Sequence, residues 1–207
     1  METEISAIGK KWTVERLLGK GKSGYSYLVK SGDILAVWKI IHHEPVSYYT
    51  FSNKLLSEVN AYHKLKSVGV EVPELLEVNE KDEWLLKEYI PEPTLAELVA
   101  KGHLENQIWV SIFNLAADLQ KNGMNVDYFP TNFVWHTNRL YYVDYEWNPY
   151  LEEWDFTHWG IWYWVNREGM KIFLETGNHL AINKDDHSGK PLTLGLENRV
   201  SEILSIF

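Results

Sequence analysis

The chain contains no cysteine, an absence that removes disulfides, thiolate nucleophiles and cysteine-based zinc sites together. Positive charge is also scarce: 20 Lys and Arg stand against 29 Asp and Glu, a formal net charge of −9 at pH 7. Nucleic acid and anionic membrane both ask for a basic face, so neither is expected as a partner, and any nucleotide ligand has to be gripped by local groups. No run approaches the about 18 apolar residues of a membrane span. The polar, acidic stretch Met1–Lys10 carries no apolar signal segment, so cytoplasmic location is the expectation. Aromatic residues are plentiful instead. Ten Trp and twelve Tyr in 207 residues give a chain of this size enough apolar area for one domain or two small lobes.

Short β-like runs bounded by turn residues fill the first part of the chain. They are Trp12–Gly19, Ser26–Val29 and Ile34–Ile41, with Ser31-Gly32-Asp33 turning the chain between the last two. From about Thr50 to Lys66 the spacing changes to helical, with Phe51, Leu55, Val59, Tyr62 and Leu65 on one face. Two further strands, Glu74–Val78 and Glu83–Ile90, flank the polar turn Asn79–Asp82. Pro91-Glu92-Pro93 reads as a linker, because two prolines interrupt a ladder and stiffen the crossing. Beyond it, helices are expected at Leu95–Ala100, Asn106–Lys121, Trp154–Val165 and Glu197–Ile206, with a hairpin of Phe133–Trp135 and Leu140–Asp144 among them.

Gly19-Lys20-Gly21-Lys22-Ser23-Gly24 fits G-x-G-x-x-G, a weak signal that plain turns also produce. A dinucleotide fingerprint needs the third glycine to open a helix, whereas Tyr25–Val29 carries β-formers. A Walker A loop needs glycine where Arg16 stands. What remains is a β-hairpin with a glycine tip that brings backbone N–H groups near phosphates.

Fifteen residues past Gly24 lies Lys39, inside the apolar strand, and nineteen residues further lies Glu58, inside the first helix. Alone, Lys39 reads as a snorkelling strand residue and Glu58 as a solvated helix charge. Asp127 and Asn132 then follow five residues apart, and Asp144 comes after the short hairpin. Each has a bland reading as a cap, a turn residue or a strand-end charge. In this order, and on these elements, the set resembles the protein-kinase superfamily over roughly Leu18–Trp159. More narrowly it resembles a minimal bacterial-type atypical kinase, similar to Ser/Thr protein kinases in its first half and to aminoglycoside/choline-type phosphotransferases in its second.

The resemblance implies an α+β, two-lobed protein-kinase-like fold. Its N-lobe, residues 1–90, would be five antiparallel strands and one helix, and its C-lobe, residues 91–207, small and mainly helical, with ATP held between them. It implies ATP and Mg²⁺ as cofactors and an unidentified hydroxyl acceptor, protein or small molecule. Gly19, Gly21 and Gly24 would cover the phosphates, and Lys39, oriented by Glu58, would touch the α- and β-phosphates. Glu88 and Ile90 would pair with adenine through their backbone, Asn132 and Asp144 would hold Mg²⁺, and Asp127 would orient the acceptor hydroxyl and accept its proton. Asp155 resembles a structural aspartate at a helix start that also anchors the catalytic loop.

Departures from the family pattern are specific. Asn125 replaces the usual His, Phe129 the usual Lys, Glu146 the last glycine of Asp-Phe-Gly, and Lys87 stands at the gatekeeper-like position without a physical reason from sequence. Only ten residues separate Asp144 from Asp155, none of them Ser or Thr, so a phosphorylated activation segment and a long peptide shelf are not expected. The readings carried forward are a kinase acting on protein Ser/Thr, a small-molecule phosphotransferase, and a non-catalytic pseudokinase binding module. Trp147, Trp154, Trp159, Trp162, Tyr163 and Trp164 read as core packing or an acceptor-stacking wall. His42-His43-Glu44 resembles a metal cluster, although adjacent strand residues point to opposite faces.

Overall fold

The computed structural model describes residues 4–21, 23–44, 53–186 and 188–207. The chain divides into two compact units, Met1–Lys64 with Pro73–Ile90, and Leu65–Val72 with Pro91–Phe207. An antiparallel sheet with one helix and a mainly helical unit together make an α+β chain.

The sheet of the first unit has six strands: β1 (Glu4–Ala7), β2 (Lys10–Lys20), β3 (Gly24–Ser31), β4 (Ile34–Ile41), β5 (Leu75–Asn79) and β6 (Trp84–Glu88), in the order β1-β2-β3-β4-β6-β5. Five were expected. The sixth is β1, which the polar look of the first ten residues hides. Its Ile5 and Ala7 alternate into the core at 7% and 3% exposure, beside Trp12, Tyr27, Val29, Trp38 and Leu86. Two inward side chains suffice where a neighbouring strand is already apolar. Strand alternation sends the odd-numbered residues of β4 to the other face, where Ile41 packs with Leu85 and Leu55, the last from α1 (Lys54–Ser67). The expected helix start at Thr50 and its Phe51 lie outside the described residues.

In the second unit, α2 (Leu95–Lys101) and α3 (Asn106–Lys121) lead through β7 (Met124–Asn125) to a 3₁₀ turn at Pro130–Asn132 and the hairpin of β8 (Phe133–His136) and β9 (Arg139–Tyr142). A short strand β10 (Asn148–Pro149) pairs back onto β7. The helix expected over Trp154–Val165 is three pieces: a 3₁₀ turn at Glu152–Trp154, a π-helical stretch at Phe156–Gly160, and α4 (Ile161–Val165). At the start of the wide stretch the amides of Trp159 and Gly160 both reach the carbonyl of Asp155, at 3.0 and 3.1 Å. Gly160 is required there, since a Cβ would sit 2.6 Å from the Cβ of Tyr128.

Helix α5 (Arg167–Thr176) was not expected. Its signals were present as caps: Asn166 accepts the Gly169 amide at 2.9 Å, and Gly177 ends the helix at φ 70°. The last helix, α6 (Glu197–Ile206), follows the expected polar loop. No described helix is long and apolar enough to cross a membrane.

Candidate active site

One group of candidate residues, in the first unit, is built on β2, β3, β4 and α1. Lys20 pairs with Tyr25 across the hairpin, and the Gly21 amide donates to the Gly24 carbonyl at 2.9 Å, closing a tight tip. Gly24 has an internal reason to be glycine: a Cβ would stand 2.4 Å from the Ile40 carbonyl oxygen. Gly19 and Gly21 have no such reason, because an added Cβ at Gly19 meets nothing within 4 Å and at Gly21 only an ordinary contact at 3.8 Å. Their bare backbone leaves room for a group from outside the chain, as a phosphate cradle requires.

Lys39 points from β4 toward α1, where its Nζ lies 2.6 Å from Glu58 Oε1, with side-chain exposures of 8% and 7%. The spacing read from the sequence thus corresponds to a real contact. Ser23 adds to it: its hydroxyl donates to the same Glu58 oxygen at 2.5 Å, while Glu58 Oε2 is buried without a hydrogen-bond partner among the described residues. Lys87 of β6, also buried, pairs with Val37 of β4, and so shares the sheet face of Lys39, which pairs with Leu85.

Another group, in the second unit, is built on the turn before β8 and the end of β9. Asp127 is held by the Phe129 amide, which donates to its Oδ1 at 3.0 Å. Asn132 donates its Nδ2 to the Asp127 carbonyl at 3.2 Å, so its amide oxygen is turned to the other side. Register then brings Asp144 alongside: Phe133 pairs with Tyr142, and the Val143 amide donates to the Asn132 carbonyl at 2.8 Å. Beneath them Tyr142 is fully buried, and its phenol is pushed well above its usual value by desolvation and then by the carboxylates of Asp144, Asp127 and Glu146. The Tyr163 phenol is likewise raised, by burial and then by Asp127. An amide oxygen beside a carboxylate is a hard-oxygen donor set, which fits Mg²⁺ bound by one or two protein groups plus substrate phosphate.

Trp164 Nε1 donates to the Tyr128 carbonyl at 2.8 Å and so props the loop that carries Asp127. The anchoring role expected of Asp155 is not what its contacts show. They go to the His158 amide and ring, Thr157 and Tyr150, so Asp155 caps its own helix start. Asn125 donates its side-chain amide to the Leu151 carbonyl at 2.8 Å. Glu88 has its amide on the Glu74 carbonyl and its carboxylate on the Glu74 amide, and Ile90 is buried.

The histidine cluster separates. His42 Nε2 sits 3.0 Å from the Gly21 carbonyl, His43 faces Glu83, and Glu44 takes Lys20 and the Tyr25 hydroxyl. Among the described residues no group of three or more His, Cys, Asp or Glu could hold a metal. Of the aromatic stretch, Tyr163 and Trp164 are buried, whereas Trp147, Trp154, Trp159 and Trp162 are half-buried; Trp159 Nε1 is tied to the Gly189 carbonyl and Trp162 Nε1 to that of His158.

No protein-family model matches the chain, and no curated protein matches it. Among solved structures, a mutant of the Mycobacterium tuberculosis PknI kinase domain is similar at 17% identity and a TM-score of 0.44, over 70% of this chain and 62% of that one. The chain therefore matches less than two thirds of that domain's length.

Proposed function

We propose that the protein is a protein-kinase-like phosphotransferase that uses ATP with Mg²⁺ and transfers the γ-phosphate to a hydroxyl group. The observation that supports this most is the Lys39–Glu58 contact at 2.6 Å beside a glycine tip whose Gly19 and Gly21 are not required by packing among the described residues. A buried ammonium held by a buried carboxylate is costly to maintain, and alignment of phosphates is a reason to keep it.

In this reading Glu58 orients Lys39 toward the α- and β-phosphates, while Gly19, Gly21 and Gly24 cover them. The backbone of Glu88 and Ile90 meets the base, and Asn132 and Asp144 hold the metal. Bound Mg²⁺ would neutralise charge on the phosphate oxygens. Asp127, steadied by the Phe129 amide, aligns the acceptor hydroxyl and takes its proton as the new P–O bond forms and the bond to the ADP oxygen breaks. We assign the acceptor to a protein serine or threonine, following the glycine tip and the Lys39–Glu58 pair. A small hydroxylated molecule is the second reading, favoured by the short segment after Asp144. That segment is tied down, with Asn148 and Pro149 paired to β7 and the Tyr150 amide on the Gly123 carbonyl at 2.9 Å, and leaves little free length for a peptide shelf.

A thermal melt tests the nucleotide reading. ATP with Mg²⁺ at ~100 times its dissociation constant should add about 2.7 kcal/mol, roughly 5–10 °C for a chain of this size, and either component alone should add less. No shift at millimolar ATP and Mg²⁺ would refute it.

A further inference from the structure

A phosphate oxygen has to come within about 3 Å of an ammonium to bond it, and the Lys39 side chain is only 8% exposed. The glycine tip lies against the pair, where a Cβ on Gly24 would stand 3.3 Å from Lys39 Cγ, and Ser23 is fastened from two sides: its backbone is held where the His42 amide donates to the Ser23 carbonyl at 2.9 Å, and its side chain is held where Ser23 Oγ donates to Glu58 Oε1 at 2.5 Å. The backbone bond merely continues the β3–β4 ladder beyond Gly24, which pairs with Ile41. The hydroxyl bond is different, because it joins the tip to the carboxylate that holds Lys39. His42 adds a third tie through its ring, at 3.0 Å from the Gly21 carbonyl.

We infer that Ser23 sets nucleotide affinity by latching the glycine tip over Lys39 through Glu58, so that the hydroxyl must leave Glu58 before phosphate can reach the ammonium. The chemistry is a competition for one site. Glu58 Oε1 accepts both Ser23 and Lys39, and a polyphosphate arriving at Lys39 has to displace the tip that Ser23 holds. Affinity for the polyphosphate is then reduced by the fraction of molecules in which the latch is closed. This assignment rests on the nucleotide reading for its ligand but not for its geometry, and the two can be tested apart.

The experiment compares wild type, Ser23→Ala and Ser23→Thr in two assays on the whole chain. In the first, no nucleotide is present: a pulse of an amine-acylating reagent is followed by mass spectrometry of the peptides carrying Lys39 and Lys54. Lys54 is also buried, with its Nζ on the His42 carbonyl at 2.7 Å, and reports whether the unit as a whole has loosened. Ser23→Ala should raise Lys39 labelling about tenfold, the lower end for losing a hydrogen bond to a charged group, and leave Lys54 unchanged. Ser23→Thr, which keeps the hydroxyl, should label like wild type. In the second assay, ATP with Mg²⁺ should bind Ser23→Ala about tenfold more tightly than wild type. Unchanged Lys39 labelling, or a rise shared by Lys54, overturns the latch. Tighter Lys39 protection in Ser23→Ala would do so as well. Selective Lys39 labelling with no ATP–Mg²⁺ binding by any of the three proteins would uphold the latch and remove the nucleotide reading instead.

Discussion

Replacing Lys39 by methionine removes one member of a buried ion pair, and the structure sets the consequence. Glu58 would keep only the Ser23 hydroxyl on Oε1 and nothing on Oε2, at 7% side-chain exposure. Leaving one buried charge uncompensated costs about 3–5 kcal/mol. With a urea m-value of about 2 kcal/mol/M, the midpoint for the first unit should fall by roughly 1.5–2.5 M. Lys39→Met with Glu58→Leu removes both charges in favour of apolar groups, beside a face that already holds Ile41, Leu55 and Leu85. The double variant should recover to within about 1 kcal/mol of wild type, since well-packed apolar replacements of buried pairs are often neutral. Hydrogen exchange of β4 and α1 peptides across a urea series reads the effect in the unit concerned. Neither variant should bind ATP with Mg²⁺ as wild type does. A single variant as stable as wild type, or a double variant no better than the single, would refute the reasoning from an uncompensated charge.

Gly160→Ala would place its Cβ 2.6 Å from the Tyr128 Cβ and 2.9 Å from Phe156 Cδ2, so thermal unfolding should show a loss of about 1–3 kcal/mol from overpacking, and activity should fall with it because Tyr128 adjoins Asp127. Asp155 gives a pH dependence. Burial by itself would raise its carboxyl, but the hydrogen bonds from His158, Thr157 and Tyr150 outweigh it and hold the group below 3.8. A lowered carboxyl pKa stabilises the fold above the unfolded value and loses that contribution as pH falls below about 3.9 through the folded value. Asp155→Asn should therefore flatten this acid limb of the stability curve in a pH series of urea midpoints. Trp164→Phe keeps the ring packing but leaves the buried Tyr128 carbonyl without its 2.8 Å donor, for a loss of about 1–3 kcal/mol in the same assay.

Elements with a strong period were legible in the sequence. Helices α3 and α6 lie where the spacing put them, and the β8–β9 hairpin surrounds its turn. Elements that depend on one or two contacts were not. Strand β1 shows only Ile5 and Ala7 to a core that Trp12 and Trp38 dominate, and α5, although bounded by caps at Asn166 and Gly177, is only ten residues long and turns little more than Met170 fully inward. The π-helical stretch ends at Gly160, which comes close to Tyr128, a tertiary fact with no local signature. In the site, spacing led to the pairing of Lys39 with Glu58, because a strand lysine and a helix carboxylate in that order have few ways to meet. It could not reveal that Ser23 shares the carboxylate, since the position looked like an ordinary turn residue in a glycine loop. Tyr142 was equally silent. Its place beneath Asp127 and Asp144 comes from hairpin register, and a tyrosine in a β-run carries no mark of that.

Single-turnover phosphoryl release from ATP, measured beside equilibrium ATP–Mg²⁺ binding in wild type, Asp127→Asn and Asp144→Asn, tests the proposed chemistry most directly. Asp144→Asn should weaken metal-dependent binding and turnover together, because the metal loses a negative ligand. Asp127→Asn should bind as wild type does yet turn over roughly 10²–10⁴-fold more slowly, the range for loss of a positioned general base. Equal background turnover in wild type and Asp127→Asn, with undiminished binding in both, would contradict catalysis at Asp127 and leave a nucleotide-binding module in its place.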